Sequence, residues 1–544
     1  MNLRSSMVEV ATRLLRIYFE FGPETEGPRQ PVRQDGTATA DANAEHPIRR
    51  WVRQPWNRGD SKSPGVVGQT VGATTPVVGP RPTIHGDTIS AKLNLAGGNL
   101  TTTDLTVVGN VSLKHTIDTP SGPLPTVLTG EQLQLRDTEG DEILQIGSGL
   151  DSPAKLKVGD GYFIGPLIQV RLADNIVWIR DAGEFQVPTQ MLPQMVGDTP
   201  LFQPLGEATP PTRGAAAKPT NIRWVSPPRC RWRGQMLFDG TKIALTGGID
   251  VRGAVLVGDE PELWDIDLVG DQLQVLLKQN LPMRQFDAVK SAAIDVVGVL
   301  SSSERPLVIT ANQLTEAGVR KARHVLTTPE LTFRPETSTV VGVGPGWYRA
   351  WMQTEQSPLA SVVTSDGFRP ADESLVGLHL AFRDSLQANV TNQSLEFIGN
   401  VRIASRPVVG WDDRIDAELV EGLRLGESTL DCERLRLGID PNRSRRLIST
   451  AWEMEATGRV IFQTRNDKGL FSGQAQRASY TAAKDVFLIE GEPGYGATLN
   501  QTLPTGAAGM NVAVKRMSVN TRTMEVLNVE FERLQLGTLP GLSR

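Results

Sequence analysis

The side chains best suited to chemistry in this 544-residue chain are its paired carboxylates. Asp412 and Asp413 are adjacent, and Asp265 and Asp267 lie two residues apart. Either pair could divide into general acid and general base at a glycosidic bond, as in a glycosidase or a β-helix polysaccharide lyase. Neighbouring aspartates on a β protein are more often solvated loop residues, and that reading is preferred. Trp347, Tyr348 and Trp351 would make a sugar-stacking platform if they shared a face; edge or core aromatics are the plainer alternative. Gly342-Val-Gly-Pro-Gly346 has the glycines of a phosphate cradle, yet no Lys-Ser/Thr follows it, and Pro345 lacks the amide N–H that a phosphate would use. A tight hairpin turn is expected there. Cys230 and Cys432 cannot build a zinc site alone, and the five histidines fall in no metal-ligand spacing. Gly-x-Ser-x-Gly is absent. No catalytic residue, metal ligand or cofactor is therefore assigned, and a non-enzymatic protein is expected.

The elements that must position any site are strands. Glu131-Gln-Leu-Gln-Leu135, Asp271-Gln-Leu-Gln-Val275, Glu433-Arg-Leu-Arg-Leu437 and Glu532-Arg-Leu-Gln-Leu536 repeat one alternation of polar and aliphatic residues. Successive side chains on a strand point to opposite faces, so each copy can bury its aliphatics and wet its Gln or Arg. A second motif precedes them: Gly109-Asn-Val-Ser-Leu113, Gly247-Gly-Ile-Asp-Val251, Gly399-Asn-Val-Arg-Ile403 and Gly458-Arg-Val-Ile-Phe462. Its glycine is the expected turn or bulge residue, because it takes positive φ without a Cβ clash. The glycines are irregularly spaced, which argues against a solenoid of fixed period and for a long meander or jelly roll with insertions. Helix signals are few. Asn312 to Val325 is read as a helical turn over a sheet edge, and Asp271 to Asn280 stays ambiguous because Leu276 and Leu277 interrupt the alternation.

Composition narrows the class. Fifty-three Gly, 36 Pro and only 22% charged residues suit a turn-rich all-β protein. Fifty-six basic against 61 acidic residues, with no dense Lys/Arg block, predict no affinity for nucleic acid. No run of about 18 apolar residues exists to cross a membrane as a helix. Residues 7–21 read as an amphipathic helix too charged for a signal-peptide core. The expected divisions are an N-terminal helix plus disordered segment (1–81), a first β region (82–203), a Pro/Ala linker (204–228), a second β region (229–355) and a third (372–544). The cysteines are expected to be two isolated buried thiols.

The stretch from Glu455 to Gly494 carries a resemblance. Ala456-Thr-Gly-Arg-Val-Ile-Phe462, Gly473-Gln-Ala-Gln-Arg-Ala-Ser-Tyr480 and Asp485-Val-Phe-Leu-Ile-Glu-Gly-Glu-Pro493 resemble the OstA-like (LptA/LptC-type) domain of lipopolysaccharide transport. That domain runs from a Gly-x-Val strand to an Ala-x-x-Tyr strand and on to one ending Leu-x-Gly-x-Pro. Leu307–Leu314 and Leu326–Phe333 look like strands of another copy, and 82–187 is weakly similar. The resemblance implies an elongated antiparallel two-sheet β jelly roll, or β-taco, of several OstA-like units. It implies a periplasmic or cell-envelope location, lipopolysaccharide or a similar glycolipid as ligand, and end-to-end strand stacking with other envelope transport proteins. Val460, Phe462, Tyr480, Phe487 and Ile489 are the groove residues it suggests. A structural or adhesive β scaffold without lipid is the alternative, and an envelope carbohydrate-active enzyme the third. The length, the polar head and the absence of an export signal depart from the family.

Overall fold

A computed structural model describes residues 83–531, apart from connecting stretches of which the longest are 187–221, 281–293, 354–374 and 440–451. The expected N-terminal helix and polar head, and the fourth motif copy at Glu532, lie outside the described residues. Among the described residues thirty-three strands, each antiparallel to its neighbours, join in one large sheet. No α-helix is present among the described residues.

The strands fall into two ladders. The first runs Asp141–Gly147, Leu167–Arg171, Ile176–Ile179, Met236–Phe238, Lys242–Leu245, Gln272–Leu277, Ile294–Leu300, Glu330–Arg334, Thr339–Val343 and Ser385–Asn389. The second runs Ala154–Val158, Gly161–Gly165, Gly183–Gln186, Ile222–Trp232, Ile249–Val257, Glu262–Gly270, Leu307–Leu314, Arg320–Thr328, Gly346–Gln353 and Leu375–Phe382. The chain makes a hairpin in one ladder, crosses, makes a hairpin in the other, and crosses back. Long strands pass through both ladders at either end: Asn99–Thr119 and Gly122–Thr138 at one, Ser394–Val408, Ser428–Ile439, Trp452–Asn466 and Gly469–Thr481 at the other.

All crossings lie along one line, the seam. Pro166, Asp271 and Pro329 each cross alone, and Gly344-Pro345 and Arg383-Asp384 cross as pairs. Successive crossings are tied by backbone hydrogen bonds: Arg233 N–H to Gly248 O at 3.1 Å, Gly248 N–H to Asp271 O at 3.0 Å, Asp271 N–H to Leu300 O at 3.1 Å. Ser301 N–H reaches Pro329 O at 2.9 Å, Gly344 N–H reaches Asp384 O at 2.7 Å, and Arg383 N–H reaches Gly399 O at 2.7 Å. The backbone groups freed by leaving the ladders are thus satisfied by the next crossing.

In three of the six strands that run through the seam unbroken, two successive left-handed residues bend the chain. These are Gly109-Asn110 (φ 77° and 48°), Gly399-Asn400 (87° and 45°) and Gly458-Arg459 (78° and 42°), with Gly247-Gly248 (84° and 99°) at a broken crossing. All four glycines are those of the second motif. The acid heading the first motif stands opposite: a Cβ on Gly458 would lie 2.6 Å from Glu433 Oε2, and Gly248 bonds the backbone of Asp271. Asp87 and Asp384 take the same place against Gly109 and Gly399. The two motifs are therefore the two sides of the seam, one strand descending from it into the first ladder and the other into the second.

Several expectations are corrected. Asn312 to Val325 contains no helix; it is the end of Leu307–Leu314 and the start of Arg320–Thr328, joined by a hairpin. Asp271 to Asn280 is resolved as strand over Gln272–Leu277. Gly344-Pro345 is a seam crossing rather than a hairpin turn. The strand Ile222–Trp232 begins inside the stretch read as linker and pairs on both edges.

The seam predicts a sharp difference between glycines. Gly399→Ala places a methyl against the Asp384 carboxylate at φ 87°, whereas Gly438 has open space around it and no positive φ. Urea titration should show Gly399→Ala destabilised by about 2 kcal/mol. Gly438→Ala should stay within about 0.5 kcal/mol of the parent; equal effects would contradict the seam's role.

Candidate functional site

Register carries the inner face from one end of the sheet to the other, because residues paired across antiparallel strands share a face. In the first ladder one inner row is Leu273, Val299, Leu331, Gly342 and Leu386, with Val275, Val297, Phe333, Val340 and Ala388 beside it. In the second the rows are Val251, Leu268, Ile309, Leu326 and Tyr348, then Gly253, Ile266, Ala311, His324 and Ala350.

These rows pass between two closed cores. One core takes residues from both ladders over the first half of the sheet, including Phe163, Ile168, Trp232, Met236 and Phe238. The other takes both ladders over the second half, including Leu380, Leu386, Phe397, Val460 and Met517. Joint packing across the ladders shows that their inner faces meet there. Between the cores the rows open. Ile266, Leu268, Ile309, Ala311, Val297, Leu331, Phe333 and Val340 are only half-buried, although all are apolar and inward. At the seam the floor is dry, formed by Gly270, Val299 and Leu307. The result is an apolar trough with a sealed floor and solvent-touching walls.

The five residues suggested by the sequence lie elsewhere. Val460, Phe462, Tyr480 and Ile489 are buried in the second core with Phe487 packed against it, and the Phe462 and Phe487 rings meet edge to face at 5.4 Å. They share one interior, on neighbouring strands Trp452–Asn466, Gly469–Thr481 and Val486–Glu490.

An aromatic stack crosses from the trough into that core. His324 lies between Trp264, at 5.6 Å, and Tyr348, at 6.0 Å, and Tyr348 continues to Phe397 of the first ladder at 6.3 Å. The last contact joins the walls and closes the trough at this end. His324 Nδ1 is 2.7 Å from the Tyr348 hydroxyl, while its Nε2 is covered and has no hydrogen-bond partner. Burial lowers the imidazole to about 4 and raises the Tyr348 phenol, so both are neutral at pH 7. Sequence reading missed His324 because it fell in the supposed helical turn; strand alternation, had it been extended there, places it inward.

The other candidate residues are dispersed. Trp347 and Trp351 share the outer face, opposite Tyr348, so the three make no common platform. Trp351 is covered by the 409–415 segment: its indole Nε1–H donates to Asp413 O at 3.0 Å, and Ile415 packs beside it. Asp412 pairs with Arg323, and Asp413 accepts the backbone N–H groups of Val409 and Gly410 at 2.8 and 3.0 Å. Asp267 pairs with Arg252 at 3.2 Å. Each aspartate of the proposed pairs that has a partner is thus engaged in holding a loop or a strand face. Cys230 and Cys432 are buried free thiols, both pushed up to about 12 chiefly by burial. No cluster of His, Cys, Asp and Glu suited to a metal occurs among the described residues, and no helix there is long and apolar enough to cross a membrane.

On the outer face, partial burial pushes the Glu184 carboxyl up, but hydrogen bonds from Arg229, Tyr162 and Arg231 outweigh it and hold it at about 2. The cluster ties three neighbouring strands, Gly161–Gly165, Gly183–Gln186 and Ile222–Trp232.

Comparison with protein-family models, with curated proteins and with solved structures found no match.

Two predictions follow from burial. Val460→Asp sets a carboxyl where no solvent reaches and should cost about 3 kcal/mol or more, read as a fall in urea midpoint, whereas Gln474→Asp on the exposed face of the next strand should cost little. Equal tolerance would reverse the assigned faces. The second concerns acid. His324 is held neutral in the fold while the unfolded imidazole protonates near pH 6.5, so stability is full above that pH and falls as pH drops from about 6.5 to about 4. His324→Phe should flatten that part of the stability profile; an unchanged profile would show that His324 titrates freely.

Proposed function

We propose that this chain is a non-enzymatic cell-envelope protein that shelters the acyl chains of lipopolysaccharide-like glycolipids in the trough, on an OstA-like β jelly-roll architecture. The single observation that supports this reading is the half-buried apolar inner face between two fully packed cores. Soluble folds rarely leave contiguous apolar surface open unless something covers it. Acyl chains would lie along the walls while sugar head groups stay in water at the rims, and no bond would be made or broken. Direction would come from partners.

The ends of the sheet favour such partners. Among the described residues the last strand, Val526–Glu530, pairs only with Arg516–Asn520, and it exposes Val526 and Leu527, with Phe531 just beyond it. Exposed apolar side chains at this end of the described sheet suit strand addition by another envelope transport protein. A periplasmic location accords with these partners. A lipid-free structural scaffold is the second reading, and the closed packing around Val460, Phe462, Tyr480, Phe487 and Ile489 favours it for that end of the molecule.

Photo-crosslinking separates the two. A benzophenone amino acid at Ile309 or Phe333 should capture lipopolysaccharide or a fluorescent acyl probe, and one at the outward, exposed Arg434 should not. Capture at Arg434 alone, or at none in folded protein, would support the scaffold.

A further inference from the structure

We propose that His324 and Tyr348 form a recognition point within the trough that selects an acyl chain bearing a carbonyl oxygen, as in an ester- or amide-linked fatty acyl group, over a plain hydrocarbon. This rests on the acyl-binding reading above.

The argument begins with the surroundings. The residues paired directly with His324 on either side are Ala311 and Ala350, so the imidazole stands between two of the smallest side chains on the wall. Its ring is held flat by Trp264 and Tyr348, and its Nδ1 is committed to the Tyr348 hydroxyl at 2.7 Å. A phenol O–H is a better donor to imidazole nitrogen than imidazole N–H is to phenol oxygen, so the hydroxyl donates and Nε2 carries the ring proton. That Nε2–H has no acceptor. A buried donor without an acceptor is costly, and the structure carries this cost in a wall whose neighbouring inward residues are apolar apart from the buried Gln313 and the Tyr348 hydroxyl.

A carbonyl oxygen relieves it; a methylene cannot. Because the imidazole is uncharged, the site has no electrostatic preference for an ionised carboxylate, whose desolvation would oppose entry. The chemistry therefore points to a neutral ester or amide carbonyl, the group that joins acyl chains to glycolipid head groups. Nε2 is covered in the free protein, so a ligand reaches it only as neighbouring wall side chains give way, with the Tyr348 contact to Nδ1 kept.

The test is displacement of N-phenyl-1-naphthylamine fluorescence from the full chain by methyl laurate and by tetradecane, whose chains have the same length. The quantity read is the ratio of the two competition constants relative to the parent, which cancels their different solubilities in water. His324→Phe should reduce the ester preference about fivefold, as expected for one hydrogen bond. His324→Gln, which keeps a donor, should retain most of it, and Tyr348→Phe should lower it. If His324→Phe fails to fold, the other two variants decide. An ester preference unchanged in every folded variant overturns this proposal and leaves the acyl trough standing. Absence of any fluorophore binding to the parent overturns both.

Discussion

The bend at the seam is the constraint on which the rest of the structure depends. A flat meander of these strands would leave one apolar face in water along its whole length. Folding it along a line brings the two halves of that face together, and each strand must cross the line without losing its backbone hydrogen bonds. The chain solves this with paired left-handed residues at Gly109-Asn110, Gly399-Asn400 and Gly458-Arg459 in three of its unbroken strands, and with crossings of one to six residues where the ladders are joined by separate strands. Glycine leads each pair because the acid on the adjoining strand occupies the space a Cβ would need. Asparagine follows in two of them, the residue that tolerates the left-handed region best after glycine.

Given the seam, burial along the sheet is set by side-chain size. Phe, Trp, Met and Tyr fill the interior at both ends and lock the ladders together, as Tyr348 does with Phe397. The middle rows are mostly Val, Ile, Leu and Ala, interrupted by Gly342 and Gly253, and the walls there do not reach one another to the same degree. A trough needs no special device beyond this shortage of large inner side chains. The polar contents of its wall are another matter, since His324 keeps an unpartnered nitrogen where an apolar residue would pack without penalty.

Much of this was legible in the sequence. Period-two alternation marked the strands, and the second motif marked glycines with positive φ, because both are local: a strand's faces and a glycine's φ are decided within a few residues; that these glycines line up in one seam was not legible. Even the exposure of Gln132, Arg434 and Arg436 beside buried Leu133, Leu135, Leu435 and Leu437 follows from spacing alone, whereas Gln274 is buried. What was not legible depends on pairing over distance. Val460, Phe462, Tyr480, Phe487 and Ile489 lie in one packed interior, and that this interior is closed depends on the ladder opposite, which the alternation does not report. Trp347 and Trp351 fell on the outer face under a segment some 60 residues away in the chain, at Asp413. His324 was hidden by reading Asn312 to Val325 as a helical turn, which a hairpin in the register of two neighbouring strands replaced.

The most direct measurement is thiol accessibility in the folded protein. The native Cys230 and Cys432 are buried and held protonated, so their background reaction is slow. A cysteine replacing Phe333 or Ile266 in the trough should react with a small maleimide in the native state, and added lipopolysaccharide should slow it. A cysteine replacing Val460 should react no faster than Cys432, with or without lipid. Trough cysteines as inert as the one at Val460, or reactive but indifferent to lipid, would contradict an open apolar trough that receives acyl chains.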